Sequence, residues 1–226
     1  MPGRTKSTKF DVGLFDEMEK TLYSPVISDI LDDFGVRAHT LNEKIKPLER
    51  DYVVAGRAAT ALFGNTRGTK KNPYSRIISF IDGLRGNDIA VVGGSECSTA
   101  ALWGELLSTA ARARGARGAV VDGYVRDTRK MLEMDYRVFA IGQLPDDSKG
   151  RADVVGRDCT LKSGRATVSP GDIVFGDSDG VVSIPKAIAA DVVGEAFSKA
   201  AKENVVKREL QRGHLLKDVW SKYRVL

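Results

Sequence analysis

The sequence predicts an α/β fold framed by helices at both ends, and three patterns carry that prediction. Short β-branched runs alternate with Ala- and Leu-rich segments through the middle of the chain, the mark of strands and helices in succession. Between Val12 and Phe34, the residues Leu14, Met18, Leu22, Val26, Ile30 and Leu31 recur mostly at helical spacing. A long amphipathic stretch from Ile188 to Leu210 closes the other end.

The N-terminal helices fall at about residues 12–35, with Ser24-Pro25 starting the second and Gly35 as its C-cap. Leu41 to Val54 contains Pro47 and mixed charges, which suits a loop entering a strand, and Gly56 to Leu62 reads as a buried strand. Arg76 to Asp82 opens a second αβ unit, with Gly86-Asn87-Asp88 as the turn before a strand at Ile89 to Val92. After Gly93-Gly94, Thr99 to Ala113 has helix composition, and Ala119 to Val121 is another buried strand. Tyr136 to Ile141 and Asp153 to Leu161 read as strands; Val168 to Asp172 turns into a strand at Ile173 to Phe175. Gly176 to Gly180 turns back into Val181 to Ile184. Pro185 then opens the C-terminal helices, about residues 186–223: one ends at Gly213 and another runs from Leu215 to Tyr223. No internal repeat or low-complexity stretch occurs, so one domain over residues 1–226 is expected.

Composition narrows the class. With 42% hydrophobic and 29% charged residues, the 226-residue chain is neither disordered, collagen-like nor membrane-embedded. Its net charge of +5 comes from 35 basic and 30 acidic residues that are interleaved, which is weak evidence for nucleic acid, and none is expected as partner; charge alone does not separate that class from one acting on a small anion. Cys97 and Cys159 form neither a disulfide framework nor a zinc cluster, as expected for reduced cytoplasm. Met1 to Phe10 lacks the apolar core of a signal peptide and no run has bilayer-spanning length, so no membrane partner is expected.

Chemistry concentrates in Leu102-Trp-Gly-Glu-Leu-Leu-Ser-Thr-Ala110 and Gly118-Ala-Val-Val-Asp-Gly-Tyr-Val-Arg-Asp127. A helix starting after Gly104 would point the unpaired N–H groups of Glu105, Leu106 and Leu107 at an anion. Arg126 and Asp127 follow a strand end, where α/β folds place their crevices. Asp127 offers hard oxygen to Mg²⁺ or Mn²⁺, and Arg126 offers a fork of donors to a carbonyl that becomes an enolate. Bland roles exist for the same residues. An Arg-Asp pair after a strand is more often a solvated turn or an ion pair. Trp103, Leu106 and Leu107 are more often core residues, and Glu105 more often a first-turn acid that complements the helix dipole. Composition and spacing alone leave the function open.

Through these residues the chain resembles the RraA-like family. That family contains the class II 4-hydroxy-4-methyl-2-oxoglutarate/4-carboxy-4-hydroxy-2-oxoadipate aldolases and the regulator of ribonuclease activity A. The likeness runs from about Tyr23 to Tyr223. It passes through the Trp-Gly-Glu-Leu-Leu element, Val121-Asp-Gly-Tyr-Val-Arg-Asp127, Pro170-Gly-Asp172 and Asp177-Ser-Asp-Gly-Val-Val-Ser-Ile-Pro185. Aldolase members carry an acidic residue, twenty intervening residues and then Arg-Asp, a pattern that Glu105, Arg126 and Asp127 match.

The resemblance implies a β/β/α fold similar to the swivelling domain of phosphohistidine enzymes, assembled as a homotrimer or a pair of trimers with sites between subunits. It implies a metal-dependent lyase that cleaves 4-hydroxy-2-oxo acids to pyruvate and a second carbonyl compound, with oxaloacetate decarboxylation as a side activity. In that reading Asp127 binds Mg²⁺ or Mn²⁺, Glu105 holds metal-bound water, and Arg126 contacts the oxo group. The amides around Leu106 and Leu107 take the substrate carboxylate, and Gly104 permits its close approach. A glutamate from a neighbouring C-terminal helix completes the family site; Glu203 is favoured here over Glu209.

His39 and His214 both lie away from the motif in sequence, so proton transfer is expected to go through metal-bound water. The competing expectation is a non-catalytic regulator that binds and restrains an endoribonuclease; Glu105 and the long C-terminal helix favour the enzyme. A methyltransferase finds no glycine-rich Rossmann fingerprint beyond Gly93-Gly94. The end at Trp220 to Leu226 is shorter than the tail of the aromatic-degradation aldolases, which implies a different physiological substrate. Arg67, Lys70, Lys71 and Arg76 read as a solvated basic loop.

Overall fold

A computed structural model describes residues 10–68, 71–94 and 96–225. The chain begins with helices α1 (Val12–Thr21) and α2 (Ser24–Asp33), followed by strands β1 (Lys46–Pro47) and β2 (Val54–Asn65). Next come α3 (Ser75–Asp82), β3 (Asp88–Gly93), β4 (Ala101–Trp103), α4 (Glu105–Ala113) and β5 (Gly118–Val125). Then follow α5 (Thr128–Glu133), β6 (Arg137–Gln143), β7 (Ala152–Arg157), β8 (Leu161–Ser163) and β9 (Ala166–Val168). Strands β10 (Ile173–Gly176) and β11 (Val181–Ile184) precede α6 (Ala189–Gln211) and α7 (Leu216–Tyr223).

The fold is mixed α/β. Nine strands form one sheet in the order β1-β6-β5-β3-β2-β10-β11, with β4 beside β5 and β7 beside β2; β8 and β9 make a separate hairpin. The centre, β2-β3-β5-β6, is parallel. Helices α3, α4 and α5 lie in the connections that parallel pairing requires. Covered on both faces, β3 and β5 read as nearly continuous apolar runs rather than alternating ones. The outer β10 and β11 are antiparallel, as their short connection demands.

Apolar packing divides into three clusters. One holds Phe63, Ile77, Phe80, Trp103 and Met131 between the sheet and α3, α4 and α5. A second holds Phe15, Met18, Ile27, Leu31, Phe175 and Val192, where α1, α2 and α6 cover β10 and β11. A third joins Ile45, Ile89, Phe139, Leu161 and Val174. Each fully buried large side chain contributes about 1.5 to 3 kcal/mol. Among the described residues no helix is long and apolar enough to cross a membrane.

Two aspartates from the sequence motifs brace the frame. Asp177 accepts from both the N–H and the hydroxyl of Ser24, each at 2.7 Å, and so caps α2 from the far end of the chain. Asp172 accepts from the N–H groups of Ser169 (2.8 Å) and Lys186 (3.0 Å), closing the turn before β10 onto the segment after β11.

Four local expectations change. Ala101–Trp103 is a strand paired to β5 rather than the first turns of a helix, because Gly104 interrupts the chain there and the helix starts at Glu105. The strand expected over Asp153 to Leu161 stops at Arg157, where Asp158 turns the chain with φ 50°. Pro185 sits in a turn whose carbonyl accepts from Ile188, and α6 begins only at Ala189. Helix α5 follows Asp127 directly, where no helix was expected.

Candidate active site

The site forms where β4 and β5 end side by side. The N–H of Arg126 donates to the Trp103 carbonyl at 3.0 Å, which ties the two strand ends together. Asp127 then turns the chain with φ 58° and ψ 30°, the left-handed region, and its carbonyl accepts from the N–H groups of Lys130 and Met131 in α5. Aspartate is one of the few non-glycine residues that enter this region routinely. Beneath, the Trp103 indole donates to Ser108 Oγ at 2.8 Å, and that hydroxyl donates to Met131 Sδ at 3.2 Å, locking β4, α4 and α5 to one another.

Gly104 is the N-cap of α4 and provides no side-chain cap to the first-turn amides. A Cβ there would stand 2.9 Å from Asp127 Oδ2 and 3.2 Å from Arg126 Cγ. The missing side chain therefore lets the start of a nine-residue helix lie directly against the Arg-Asp pair.

Arg126 Nε lies 3.8 Å from Asp127 Oδ2, and its Nη2 lies 3.8 Å from Asp147 Oδ2. Both distances exceed hydrogen-bond reach, so neither carboxylate occupies the guanidinium's fork. Tyr74 donates to Asp147 Oδ2 at 2.5 Å. Burial works to raise the Asp147 carboxyl, but the Tyr74 hydroxyl, the Lys149 N–H and the charge of Arg126 outweigh it and hold the group below its ordinary range. The same hydrogen bond, with burial, pushes the Tyr74 phenol up.

These residues line a cleft of about 430 Å³, which Gly104, Leu106, Leu107, Arg126 and Asp127 share with Tyr74 and Asp147. Two further expected residues lie elsewhere. Glu105 turns along its own helix and accepts from the Thr109 hydroxyl at 3.2 Å. Glu203 accepts from the Tyr23 hydroxyl in a different hollow, beside Val206 and Leu210, and burial raises its carboxyl. Of the basic loop, Lys70 lies outside the described residues, and the Arg76 guanidinium donates to the Val154 carbonyl at 2.9 Å. His39 is buried between Ser28 and the Val36 carbonyl, and His214 stands 3.1 Å from Glu209. Sequence reasoning missed Tyr74 and Asp147, which meet across 73 positions and carry no local motif.

Among the described residues no three His, Cys, Asp or Glu side chains converge as a metal cage. The donors fit a more open arrangement. Mg²⁺ commonly keeps several waters and takes one or two carboxylates plus substrate oxygens. Asp127, with 43% of its side chain exposed at the cleft, suits that role.

The RraA-like model, described as Aldolase/RraA, matches residues 24–183. The chain belongs to the RraA-like family. This RraA-like chain is 29% identical over 200 residues to protein DlpA of Legionella pneumophila, covering 88% of the chain but only 32% of DlpA. It thus spans about a third of that relative's length. A Halalkalibacterium halodurans protein, provisionally named a 4-hydroxy-4-methyl-2-oxoglutarate aldolase, is 28% identical over 84% of the chain and 86% of its own length. A crystal structure from Streptomyces coelicolor, described as an unusual member of the RNase ES inhibitor RraA family, matches with a TM-score of 0.78. Its identity is 23%, over 89% of this chain and 99% of that one, a likeness of fold.

Proposed function

We propose that this chain is a divalent-metal-dependent class II pyruvate aldolase, cleaving 4-hydroxy-2-oxo acids to pyruvate and a second carbonyl compound. The observation that supports it is the convergence of Arg126, Asp127 and the start of α4 across the bare Gly104 backbone. In the same reading the chain is one domain of the swivelling-domain type, working as a homotrimer or a pair of trimers.

The first-turn amides of α4, at Glu105, Leu106 and Leu107, take the substrate carboxylate through the partial positive charge of the helix start. The Arg126 fork, not taken up by either neighbouring carboxylate, faces the oxo oxygen and strengthens its hold as charge builds there in the transition state. Asp147 and Tyr74 keep that guanidinium oriented. Asp127 would hold the cation, and Glu105, once turned away from Thr109, and Glu203 of a neighbouring copy would support it; when bound, Mg²⁺ or Mn²⁺ supplies Lewis-acid polarisation of the oxo acid.

The test is coupled detection of pyruvate from 4-hydroxy-2-oxo acids and from oxaloacetate. Arg126→Ala should lower kcat/KM by about 100- to 1000-fold, the scale of losing one preorganised donor to a developing oxyanion. Excess EDTA should abolish turnover and added Mg²⁺ or Mn²⁺ restore it. Undiminished pyruvate release in either case rejects the proposal. A flat response of the wild type to every substrate would instead favour a regulator that restrains an endoribonuclease.

A further inference from the structure

Beyond the pyruvate-binding end, the cleft has a second region whose chemistry is different. Its wall is formed by Phe63 of β2, Ile77, Ile78 and Ile81 of α3, and Leu107 and Ala110 of α4. Ile78 is 52% exposed and the neighbouring Leu106 75% exposed, so large apolar side chains stand open to water at the mouth. Pyruvate fills only a fraction of the cleft's 430 Å³. The remainder is the space for the group carried on C4 of the substrate.

Charge decides what that group is. Among the described lining residues Arg126 is the single cation, set against Asp82, Asp127 and Asp147. Arg76, next in sequence to Ile77, lies instead in a separate hollow with Arg157 and donates to the Val154 carbonyl. With Arg126 engaged at the oxo group, a second substrate carboxylate would lose hydration against isoleucine and leucine. Among the described residues lining the cleft it would find no second guanidinium or ammonium, and it would face like charge. An alkyl or aryl group in the same space removes its own surface and that of Ile78 and Leu106 from water.

Resting on the aldolase reading above, we infer that the substrate is a 4-hydroxy-2-oxo monocarboxylate bearing an alkyl or aryl group at C4, cleaved to pyruvate and an apolar aldehyde or ketone. The C3–C4 bond breaks and its electron pair stays on C3 as the pyruvate enolate. The C4 hydroxyl loses its proton to water as the new carbonyl forms. C3 then takes a proton from water, so atoms balance and nothing is oxidised or reduced.

Three measurements on the full chain with Mg²⁺ separate this inference from its foundation. Exchange of the pyruvate C3 protons with deuterium, followed by NMR, reads enolate formation without any C4 group. Pyruvate release is then compared between 4-hydroxy-2-oxo acids carrying phenyl or alkyl groups and 4-hydroxy-4-methyl-2-oxoglutarate. The expected result is exchange, with kcat/KM for the apolar substrates at least about tenfold above that for the dicarboxylate. Ile78→Arg, at a half-exposed position that tolerates charge, should lower that ratio by about tenfold or more.

Exchange accompanied by equal or better use of the dicarboxylate overturns the inference and leaves the aldolase reading standing. An unchanged ratio in a folded Ile78→Arg protein also overturns it. Absence of both exchange and cleavage sinks the aldolase reading and the inference together.

Discussion

Two adjacent backbones at the end of β5 place opposite demands on their side chains. Asp127 adopts φ 58° and ψ 30°, a conformation that asparagine tolerates as readily as aspartate. Asp127→Asn should therefore fold with an unchanged melting temperature while losing the anionic oxygen. Pyruvate release should fall by about 100-fold or more, the consequence of removing several kcal/mol of Lewis-acid stabilisation. Calorimetry alongside the pyruvate assay separates the two effects, and a variant that melts normally and turns over normally would remove Asp127 from the site. Gly104 is the converse case. Its extended backbone, φ −166°, is open to any residue, but a Cβ would press on Asp127 Oδ2 at 2.9 Å. Gly104→Ala should cost about 1 kcal/mol or less in stability, the difference between N-cap residues, yet reduce kcat/KM by about 10- to 100-fold through displaced catalytic groups. Equal activity in the folded variant would show that the close approach is not required.

The elements around the site are joined by contacts that are long in sequence, and the loop between β6 and β7 is the clearest instance. Its Asp147 accepts from Tyr74, ahead of α3, and faces Arg126 after β5. Because the folded carboxyl is held below its ordinary value, the native state binds fewer protons there than the unfolded chain. Its contribution is thus complete above the ordinary carboxylate range, near pH 4, and is lost as pH falls through the depressed value. Asp147→Asn should show a stability deficit that is constant above about pH 5 and shrinks toward zero below about pH 4. Urea denaturation across that range checks it; a deficit that persists in acid would mean the carboxylate's charge is not what matters. The same contacts explain what could be read from sequence alone. Helices α1, α2 and α6 were legible because burial repeats along each of them, and strands β3 and β5 because burial on both faces leaves a nearly unbroken apolar run. Strand β4 was not, since three residues paired to β5 carry no period of their own and sit in an Ala- and Leu-rich stretch of helix composition. Arg126, Asp127 and Gly104 could be read because chain neighbours and a strand end bring them together. Tyr74 and Asp147 could not, because only the folded sheet makes them neighbours.

At the scale of the molecule, the parallel centre of the sheet is the scaffold that all three apolar clusters share, and two glycines test how far it acts as one unit. Gly118 starts β5 between β3 and β6; a Cβ there would lie 2.5 Å from the Arg137 carbonyl oxygen and 3.1 Å from Val54 Cγ2. Relief requires the strand backbones to part, because the nearest atom belongs to a backbone rather than to a mobile side chain. Gly118→Ala should destabilise by about 1 to 3 kcal/mol, the usual scale of overpacking a filled core, and lower the melting temperature by about 3 to 10 °C. Gly194 lies exposed in the interior of α6, and a Cβ added there would meet nothing within 4 Å, so the identical substitution should stabilise by about 0.5 to 1 kcal/mol. If the chain is one cooperative domain, as proposed, both variants shift a single calorimetric transition, in opposite directions. A Gly118→Ala protein that loses β-sheet signal at one temperature and helical signal at another would show instead that the helices covering β10 and β11 melt apart from the sheet that carries Arg126 and Asp127.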